Sequence, residues 1–257
     1  MCLILLAHQT HLDYPFVLAA NRDEFYDRPT EAADFWASEP HILAGRDLQG
    51  GGTWLGLTRR GRFAALTNFR DPASLRADAP SRGELVSRFL SGNENAPSFL
   101  TWLKENGTRY NGFSLLFGTK DGLFHYCNRD GGGPLAAGVH GLSNALLDTP
   151  WPKVSRGKDA LARLLEKAPP LHLDRLFSLL ADRSVPPDSE LPHTGVGMAW
   201  ERVLASRFIA SPIYGTRSST VIAIDRQCRV LFEERSFLGS PTPWLTSRFA
   251  FTLEDSP

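Results

Sequence analysis

Residues 1–24, MCLILLAHQTHLDYPFVLAANRDE, contain two short apolar runs separated by a polar break. The runs cover residues 3–7 and 16–20, and the break between them reads HQTHLDYP. Short apolar runs bounded by turn residues predict buried β-strands. Because the break is short, we expect the two strands to pair as an antiparallel hairpin in which Cys2 faces residues 21–23.

Cys2 has a specific chemical meaning at this position. An initiator methionine is normally removed when the next side chain is small, and its removal would leave Cys2 with a thiol and a free α-amine. A free α-amine titrates at roughly 7.7–8.0, so the residue would carry a nucleophile together with a base. Arg22 would favour the thiolate, and Asp23 or Glu24 would hold the amine. The alternative is that Cys2 is a small buried residue and that Arg22 and Asp23 form a surface ion pair.

Composition excludes several classes of function. The 257 residues include 28 basic and 28 acidic side chains, so no basic field exists to attract nucleic acid. No apolar run approaches the roughly 20 residues of a membrane-spanning helix, and the first residues lack the basic start of a signal peptide. Three well-separated cysteines argue against a disulfide framework and for a reducing compartment. We expect a single domain over residues 1–257 that is located in the cytoplasm and does not insert into a membrane. The sequence does not indicate an oligomeric state.

Further strands and helices follow the first hairpin. Strands are predicted at 41–44, 53–58, 62–68, 111–119, 123–128, 139–144, 219–225, 229–234 and 248–253. Helices are predicted after a capping box at 81–84 and at 98–105, 155–168, 174–181 and 200–207. Residues 25–40 and 183–199 are rich in turn formers and are predicted as loops, the second being a candidate lid. Because most strand connections resemble hairpins, the order predicts an α+β domain of antiparallel sheets covered by helices.

Few motifs outside the hairpin carry chemistry. Residues 50–52 are three glycines, but no Lys-Ser/Thr pair follows them, so they favour a tight turn over a nucleotide site. His8 and His11 lack a third ligand, and we expect no metal site. Amide and arginine side chains lie at predicted strand ends, where amide side chains and backbone N–H groups could form an oxyanion hole, although such residues also terminate strands or form turns. These side chains belong to Asn68, Asn144 and Arg217.

Stretches along nearly the whole chain resemble the NRDE family, also called the transport and Golgi organisation protein 2 family. They are MCLILLAH at 1–8, ANRDEFYDRPT at 20–30, LAGRDLQGGGTWLGLTRRGRFAALTNFR at 43–70, HGLSNALLDTPWPKV at 140–154, LPHTGVGMAWERVLASRFI at 191–209 and YGTRSSTVI at 214–222. The resemblance implies a relative of the N-terminal-nucleophile hydrolases, with a four-layer αββα sandwich of two antiparallel sheets between helical layers. The choloylglycine hydrolase and penicillin acylase group is the nearest set of enzymes.

The resemblance also implies roles for individual residues. Cys2 would be the nucleophile and Arg22 the stabiliser of its thiolate, and Asp23 would orient the α-amine. Asn68 and Asn144 would hold the oxyanion, and Arg217 would complete the site. In the hydrolases the arginine and the aspartate are separated by two residues, whereas here they are adjacent and should point to opposite faces of the strand. Glu24 shares a face with Arg22 and is therefore an alternative partner for the amine.

Two functions follow as expectations. The first is an N-terminal cysteine amidohydrolase or acyltransferase that acts on a small molecule at amide C–N bonds other than peptides and requires no cofactor. The alternative is a non-catalytic protein that binds and traffics haem or an acyl ligand in the same cleft. A scaffold in membrane trafficking has only the family name behind it. Contacts to the ligand are predicted for Asn21, Gly51, Gly52, Trp54 and Thr216.

Overall fold

Two antiparallel β-sheets form the centre of the protein, of which the computed structural model describes residues 2–166 and 171–254. The strands in chain order are β1 (Cys2–His8), β2 (Phe16–Phe25), β3 (Thr30–Trp36), β4 (Glu39–Asp47), β5 (Leu55–Thr58), β6 (Phe63–Asn68), β7 (Phe113–Thr119), β8 (Gly122–Cys127), β9 (Gly131–Pro134), β10 (Gly138–Leu142), β11 (Tyr214–Ile224), β12 (Arg229–Ser236) and β13 (Leu245–Thr252). The α-helices are α1 (Gly83–Ser91), α2 (Ala96–Asn106), α3 (Pro152–Leu165), α4 (Leu173–Leu180) and α5 (Met198–Val203).

The sheets and helices stack in four layers. The first sheet has the strand order β10-β1-β2-β11-β12-β13, and the second has the order β3-β4-β5-β6-β7-β8-β9. Their facing sides share a core that includes Leu6, Leu18 and Phe63. Helices α1 and α2 cover the outer side of the second sheet, while α3 and α4 cover the outer side of the first. This order confirms the predicted α+β sandwich with two antiparallel sheets between helical layers.

Strand β1 lies between two apolar cores. Leu3 and Leu5 pack against α3 and α4, whereas Ile4 and Leu6 point into the space between the sheets. Because successive side chains of a strand point to opposite faces, Cys2 shares the inner face with Ile4.

The hairpin of β1 and β2 has the predicted register, with Cys2 directly opposite Arg22. On its other side β2 pairs with β11, and a β-bulge interrupts that pairing between Thr216 and Ser218. Thr216 pairs with Asp23 and Ser218 pairs with Arg22, so Arg217 is the extra residue of the bulge. The bulge therefore lies beside the end of the hairpin that carries Cys2.

The prediction of a loop over residues 25–40 was wrong, because this segment contains β3 and the start of β4. Two register irregularities between β3 and β4 break the alternation of buried and exposed residues that would have identified a strand. The prolines at positions 29 and 40 also favoured a loop. Strand β9 was missed because Gly131–Pro134 consists of glycine and proline, which are tolerated at a sheet edge.

The capping box predicted at residues 81–84 does not form. Helix α1 begins at Gly83 after Arg82, whose side chain makes no capping hydrogen bond, and the Glu84 carboxylate accepts a hydrogen bond from Tyr110 instead. Helix α3 begins at Pro152, three residues before the predicted start, and its predicted end at 168 with the prolines at 169 and 170 lies outside the described residues. No helix within residues 2–166 or 171–254 has the length and apolar character needed to cross a bilayer.

Candidate functional site

A cavity of about 560 Å³ opens beside Cys2, at the end of the β1–β2 hairpin. Strands β2, β4 and β6, the loop before β5 and the segment leading into α1 all contribute to its wall. Most lining residues are polar or charged. The lining consists of Cys2, Arg22, Asp23, Glu24, Arg28, Asp47, Gln49, Gly50, Thr53, Trp54, Leu66, Asn68, Arg76, Ala77, Ala79, Pro80, Ser81, Arg82, Gly83 and Asn111.

Arg22 is fixed on the inner face of β2 by three contacts. Its guanidinium donates hydrogen bonds to the Thr30 hydroxyl at 3.1 Å and to the Asp47 carboxylate at 3.4 Å. It also lies over the ring of Trp54, with 4.2 Å between the guanidinium carbon and the ring centroid. Because these partners restrain the side chain, Arg22 presents a fixed positive charge opposite Cys2.

Asp47 joins two arginines at the cavity wall. It accepts hydrogen bonds from Arg28 at 2.8 Å and from the Gly50 backbone N–H at 2.8 Å, in addition to the one from Arg22. Burial alone would raise the pKa of Asp47, but the hydrogen bonds from Arg28 and Gly50 hold it below its ordinary value. The carboxylate is therefore ionised and offsets part of the arginine charge.

The pKa of the Cys2 thiol is raised by some of its surroundings and lowered by others. Burial raises the pKa of Cys2, and the Asp23 carboxylate raises it further. The Arg22 charge and a hydrogen bond from the Asp23 backbone N–H act in the opposite direction. Both of these stabilise a thiolate, which is the nucleophilic form of cysteine. Residues 22 and 23 therefore both act on Cys2, although their side chains leave opposite faces of β2.

Asp23 points toward the helices that cover the first sheet. Its carboxylate accepts a hydrogen bond from the Thr216 hydroxyl at 2.7 Å, and burial raises its pKa while the charge of Lys153 lowers it. Lys153, on α3, donates to the Leu204 carbonyl at 2.9 Å. Burial lowers the pKa of Lys153 to about 8, partly offset by Asp23. The Thr216 hydroxyl thus positions the Asp23 carboxylate on the helix side of the first sheet.

Glu24 remains on the inner face with Arg22, as its spacing predicts. It lines the cavity, and one of its oxygens accepts a hydrogen bond from the Phe25 backbone N–H at 3.0 Å. Asp23 and Glu24 are both close enough to the Cys2 end of the hairpin to line the same cavity. The alternative between them as partner of the amine stays open.

The two predicted oxyanion residues occupy different positions. Asn68, at the end of β6, lines the cavity. Asn144 follows β10 and donates its amide to the Asn68 carbonyl at 2.8 Å, and the neighbouring Ser143 hydroxyl donates to the Cys2 carbonyl at 3.0 Å. Asn144 is therefore connected to the cavity through Asn68 and is not part of the lining.

Other predicted residues also lie outside the lining. The Asn21 amide donates to the carbonyls of Leu180 and Arg207 on the helix side of the first sheet. Arg217 donates to the carbonyls of Phe25 and Arg28 and lines a second, much smaller cavity on the other side of Trp54. Among the predicted ligand contacts, Trp54 lines the large cavity. The predicted site residues absent from its described lining, besides Asn144, are Asn21, Gly51, Gly52, Thr216 and Arg217.

Sequence reasoning missed several charged residues near the site. Arg28 and Asp47 lie within the stretches that carry the family resemblance, which was the available signal. Arg76 and Arg82 lie in a loop and before a helix, where charged side chains are common and carry no pattern. Lys153 was missed because its position on α3 suggests a surface residue, yet it is 5% exposed.

The described residues give no metal site. No group of three or more His, Cys, Asp or Glu side chains in residues 2–166 and 171–254 has the arrangement of a metal site. Among the described lining residues, Cys2 is the one side chain of a type that ligates haem iron. Few apolar side chains are available to cover a porphyrin, so the lining fits haem poorly.

Comparisons with known proteins bear on the family and the fold of this chain. The chain is 42% identical to a Bos taurus protein and 39% identical to a Homo sapiens protein, both named Transport and Golgi organization protein 2 homolog, with 94% of each chain covered. The structure of a penicillin V acylase from Agrobacterium tumefaciens matches 98% of this chain and 86% of its own, with a TM-score of 0.51 and 13% sequence identity. That likeness shows a fold of the N-terminal-nucleophile hydrolase type. The family model of Transport and Golgi organisation 2 matches residues 1–239, and the chain belongs to this family.

Proposed function

We propose that this protein is an N-terminal cysteine amidohydrolase or acyltransferase that acts on amide C–N bonds other than peptides. The observation that supports it is the position of Cys2, which lines a cavity of about 560 Å³ directly opposite Arg22 and accepts a hydrogen bond from the Asp23 backbone. Met1 lies outside the described residues, and the proposal requires its removal. The α-amine of Cys2 then becomes the base.

In the first step the Cys2 sulfur attacks the carbonyl carbon of the amide. The α-amine takes the thiol proton, a C–S bond forms, and negative charge develops on the carbonyl oxygen. The Asn68 amide is the lining group suited to donate to that oxygen. The C–N bond then breaks, and the α-ammonium returns the proton to the leaving amine.

The first step leaves the acyl group on the Cys2 sulfur as a thioester. In the second step water or an acceptor amine attacks this thioester. The α-amine removes a proton from the attacking group, the C–S bond breaks, and the Cys2 thiol is restored. Arg22 stabilises the departing thiolate, and Asp23 or Glu24 holds the ammonium form of the amine. Hydrolysis releases a carboxylic acid, whereas transfer releases a new amide.

The test begins with the intact mass of the protein purified from its native host, before and after a thiol-directed acylating probe. We expect a mass that lacks one methionine and a single label on Cys2. The protein should then release amine from at least one member of a panel of small N-acyl anilides. Cys2→Ala should abolish both labelling and turnover.

A matched control uses Cys228, which is also a free, half-buried cysteine but lies between β11 and β12, away from the cavity. Cys228→Ser should keep the label on Cys2 and full turnover. Undiminished turnover in Cys2→Ala would contradict the proposal. A mature protein that keeps Met1 and leaves Cys2 unlabelled would contradict it equally.

The alternative function is a carrier of haem or an acyl ligand in the same cavity. It stays a prediction of the family resemblance, and the lining gives little support to the haem version. A haem titration without a saturable spectral change would exclude that version. The cytoplasmic location expected from cysteine usage also stays a prediction.

A further inference from the structure

The cavity wall contains two arginines, Arg76 and Arg82, that form no ion pair with any described residue. Arg22 and Arg28 share Asp47, as described above. Across the described chain, no carboxylate lies within ion-pair distance of the guanidinium of Arg76 or Arg82. Two positive charges in one cavity wall that lack an ion-pair partner point to a ligand of opposite sign.

Arg82 is the better placed of the two. It lies immediately before α1, is half-buried, and donates one hydrogen bond to the Gly112 carbonyl at 3.1 Å. Burial lowers the pKa of Arg82, while Glu24 and the Cys2 thiolate raise it and the charge of Arg28 lowers it. Arg82 and Cys2 line the same cavity, and the planar guanidinium of Arg82 suits an oxyanion such as a carboxylate.

Arg76 is an exposed residue of the segment between β6 and α1, and it also lines the cavity. Its guanidinium donates to the carbonyls of Thr108 at 3.0 Å and Arg109 at 2.7 Å, and its backbone N–H donates to the Asn111 side chain at 2.8 Å. These bonds hold the side chain against the wall. Because opposite charges attract over several ångströms, Arg76 would attract an anion toward Arg82.

The remaining lining restricts the apolar part of a ligand. The apolar side chains in the wall belong to Trp54, Leu66, Ala77, Ala79 and Pro80. Three of these are small, and they are interspersed with charged groups. Such a wall can cover a short acyl group but not a long hydrocarbon chain.

We propose that the substrate is a small polar amide with a carboxylate or phosphate group, which Arg82 binds while Cys2 reaches the amide carbonyl. The exposed Arg76 attracts the same group toward the cavity. This inference rests on the proposed function only for the amide, since binding of the anion requires no reaction. The two ideas can therefore fail separately.

The first experiment compares alkylation of Cys2 by iodoacetate and by iodoacetamide, two reagents of similar size that differ in charge. Rates are followed by peptide mass spectrometry and divided by those of N-acetylcysteine. We expect the wild-type protein to favour iodoacetate by about tenfold, because Arg82 gathers the anion next to the thiol. Arg82→Gln should remove this preference. The preference is the ratio of the two rates, so a change in the thiolate fraction of Cys2, which alters both rates alike, does not affect it.

The control variant is Arg163→Gln, which makes the same charge change on the exposed side of α3. It should keep the preference for iodoacetate. An equal preference in wild type and Arg82→Gln, or no preference in wild type, would overturn the inference.

A second measurement decides the case if Cys2 reacts with neither reagent. Glutarate and inorganic phosphate are titrated separately into wild type, Arg82→Gln and Arg163→Gln by calorimetry. We expect saturable binding of at least one anion to wild type and Arg163→Gln, with at least a tenfold loss in Arg82→Gln, and the anion that binds identifies the group. Absence of binding to wild type, or equal binding to Arg82→Gln, would overturn the inference.

The outcomes also separate this inference from the proposed function. Hydrolysis of neutral anilides without any anion preference would overturn the anionic substrate and leave the amidohydrolase. Anion binding that depends on Arg82, together with undiminished turnover in Cys2→Ala, would overturn the amidohydrolase and leave the anion site.

Discussion

Arg22 and Asp23 act on Cys2 from two sides. The Arg22 side chain lies on the inner face of the first sheet and contributes positive charge, while Asp23 contributes a backbone N–H and places its carboxylate on the helix side. Adjacent residues of a strand can serve one neighbour in this way because one of them uses its backbone. Residues 22 and 23 can therefore both influence the thiol although they are adjacent in the strand.

Lys153 provides a prediction about pH. Its pKa is lowered by burial to about 8, whereas an unfolded lysine titrates near 10.5. Between these values the unfolded chain binds more protons than the folded one, so stability rises with pH across this window and falls as pH drops through 8. The Lys153 contribution over the full window is about 3 kcal/mol.

The measurement is urea unfolding of wild type and Lys153→Met at pH 8, 9 and 10. We expect the free energy of unfolding of wild type, relative to that of the variant, to increase with each step in pH, because methionine cannot titrate. The comparison uses the slope with pH, so a constant loss of stability in the variant does not affect it. Parallel pH profiles would show that Lys153 titrates normally.

At the scale of elements, the loop before β5 packs against the start of α1. Gly52 lies against the first residue of α1, and a Cβ atom at Gly52 would come within 2.5 Å of the Gly83 carbonyl carbon. The same loop carries the backbone N–H of Gly50 that binds Asp47, and the residue before α1 is Arg82. Close approach of two backbones at Gly52 therefore holds both walls of the cavity together.

Gly52→Ala should test this contact. The added methyl group meets backbone atoms that cannot move aside separately, so we expect a loss of about 2 kcal/mol in the free energy of unfolding. It should also weaken the iodoacetate preference of Cys2, because Arg82 moves with α1. Gly133→Ala is the control, since a Cβ there meets no atom within 4 Å and should change stability by less than about 0.5 kcal/mol. Equal stability of the two variants would refute the contact.

At the scale of the whole molecule, the layers were predictable because the apolar patterns were strong. Residues 3–7 and 16–20 are continuous apolar runs, and both are buried strands with the predicted register. The segment containing β3 could not be predicted, since its irregular pairing with β4 leaves no alternating pattern. Strand identity there depends on a partner that is known only after folding.

The candidate site was predictable where it is local in sequence. Cys2 and residues 21–24 meet through one hairpin, so the register follows from the position of the turn. Arg76 and Arg82 reach the cavity through the packing of a loop and a helix, which no short-range pattern encodes. For the same reason the resemblance alone could not show that Asn144 supports Asn68 from outside the lining.

A buried ion pair connects the second sheet to the segment that covers the helix side of the site. Arg70, which follows β6, donates to the Glu201 carboxylate of α5 at 2.7 Å, and the two side chains are 4% and 2% exposed. Glu201 also accepts hydrogen bonds from the Thr194 backbone and hydroxyl at 2.8 Å and 2.6 Å. Residues 183–199, predicted as a lid, are thereby attached to the body of the protein through Glu201.

Glu201→Leu should therefore have a large effect. Removing one partner of a buried ion pair costs about 3–5 kcal/mol, because the Arg70 charge stays buried without the Glu201 carboxylate. Thr194→Val removes the hydroxyl hydrogen bond alone and should cost about 1 kcal/mol. Adding Arg70→Met to Glu201→Leu should restore part of the loss, since the double variant buries neither charge.

Urea unfolding measures these differences in stability. In Glu201→Leu, the backbone amides of residues 191–203 should exchange hydrogen faster than those of wild type, under conditions in which the rest of the protein stays folded. If Glu201→Leu were as stable and as protected as Thr194→Val, the ion pair would not hold this segment, and its attachment would depend on the burial of the Leu191 and Leu204 side chains instead.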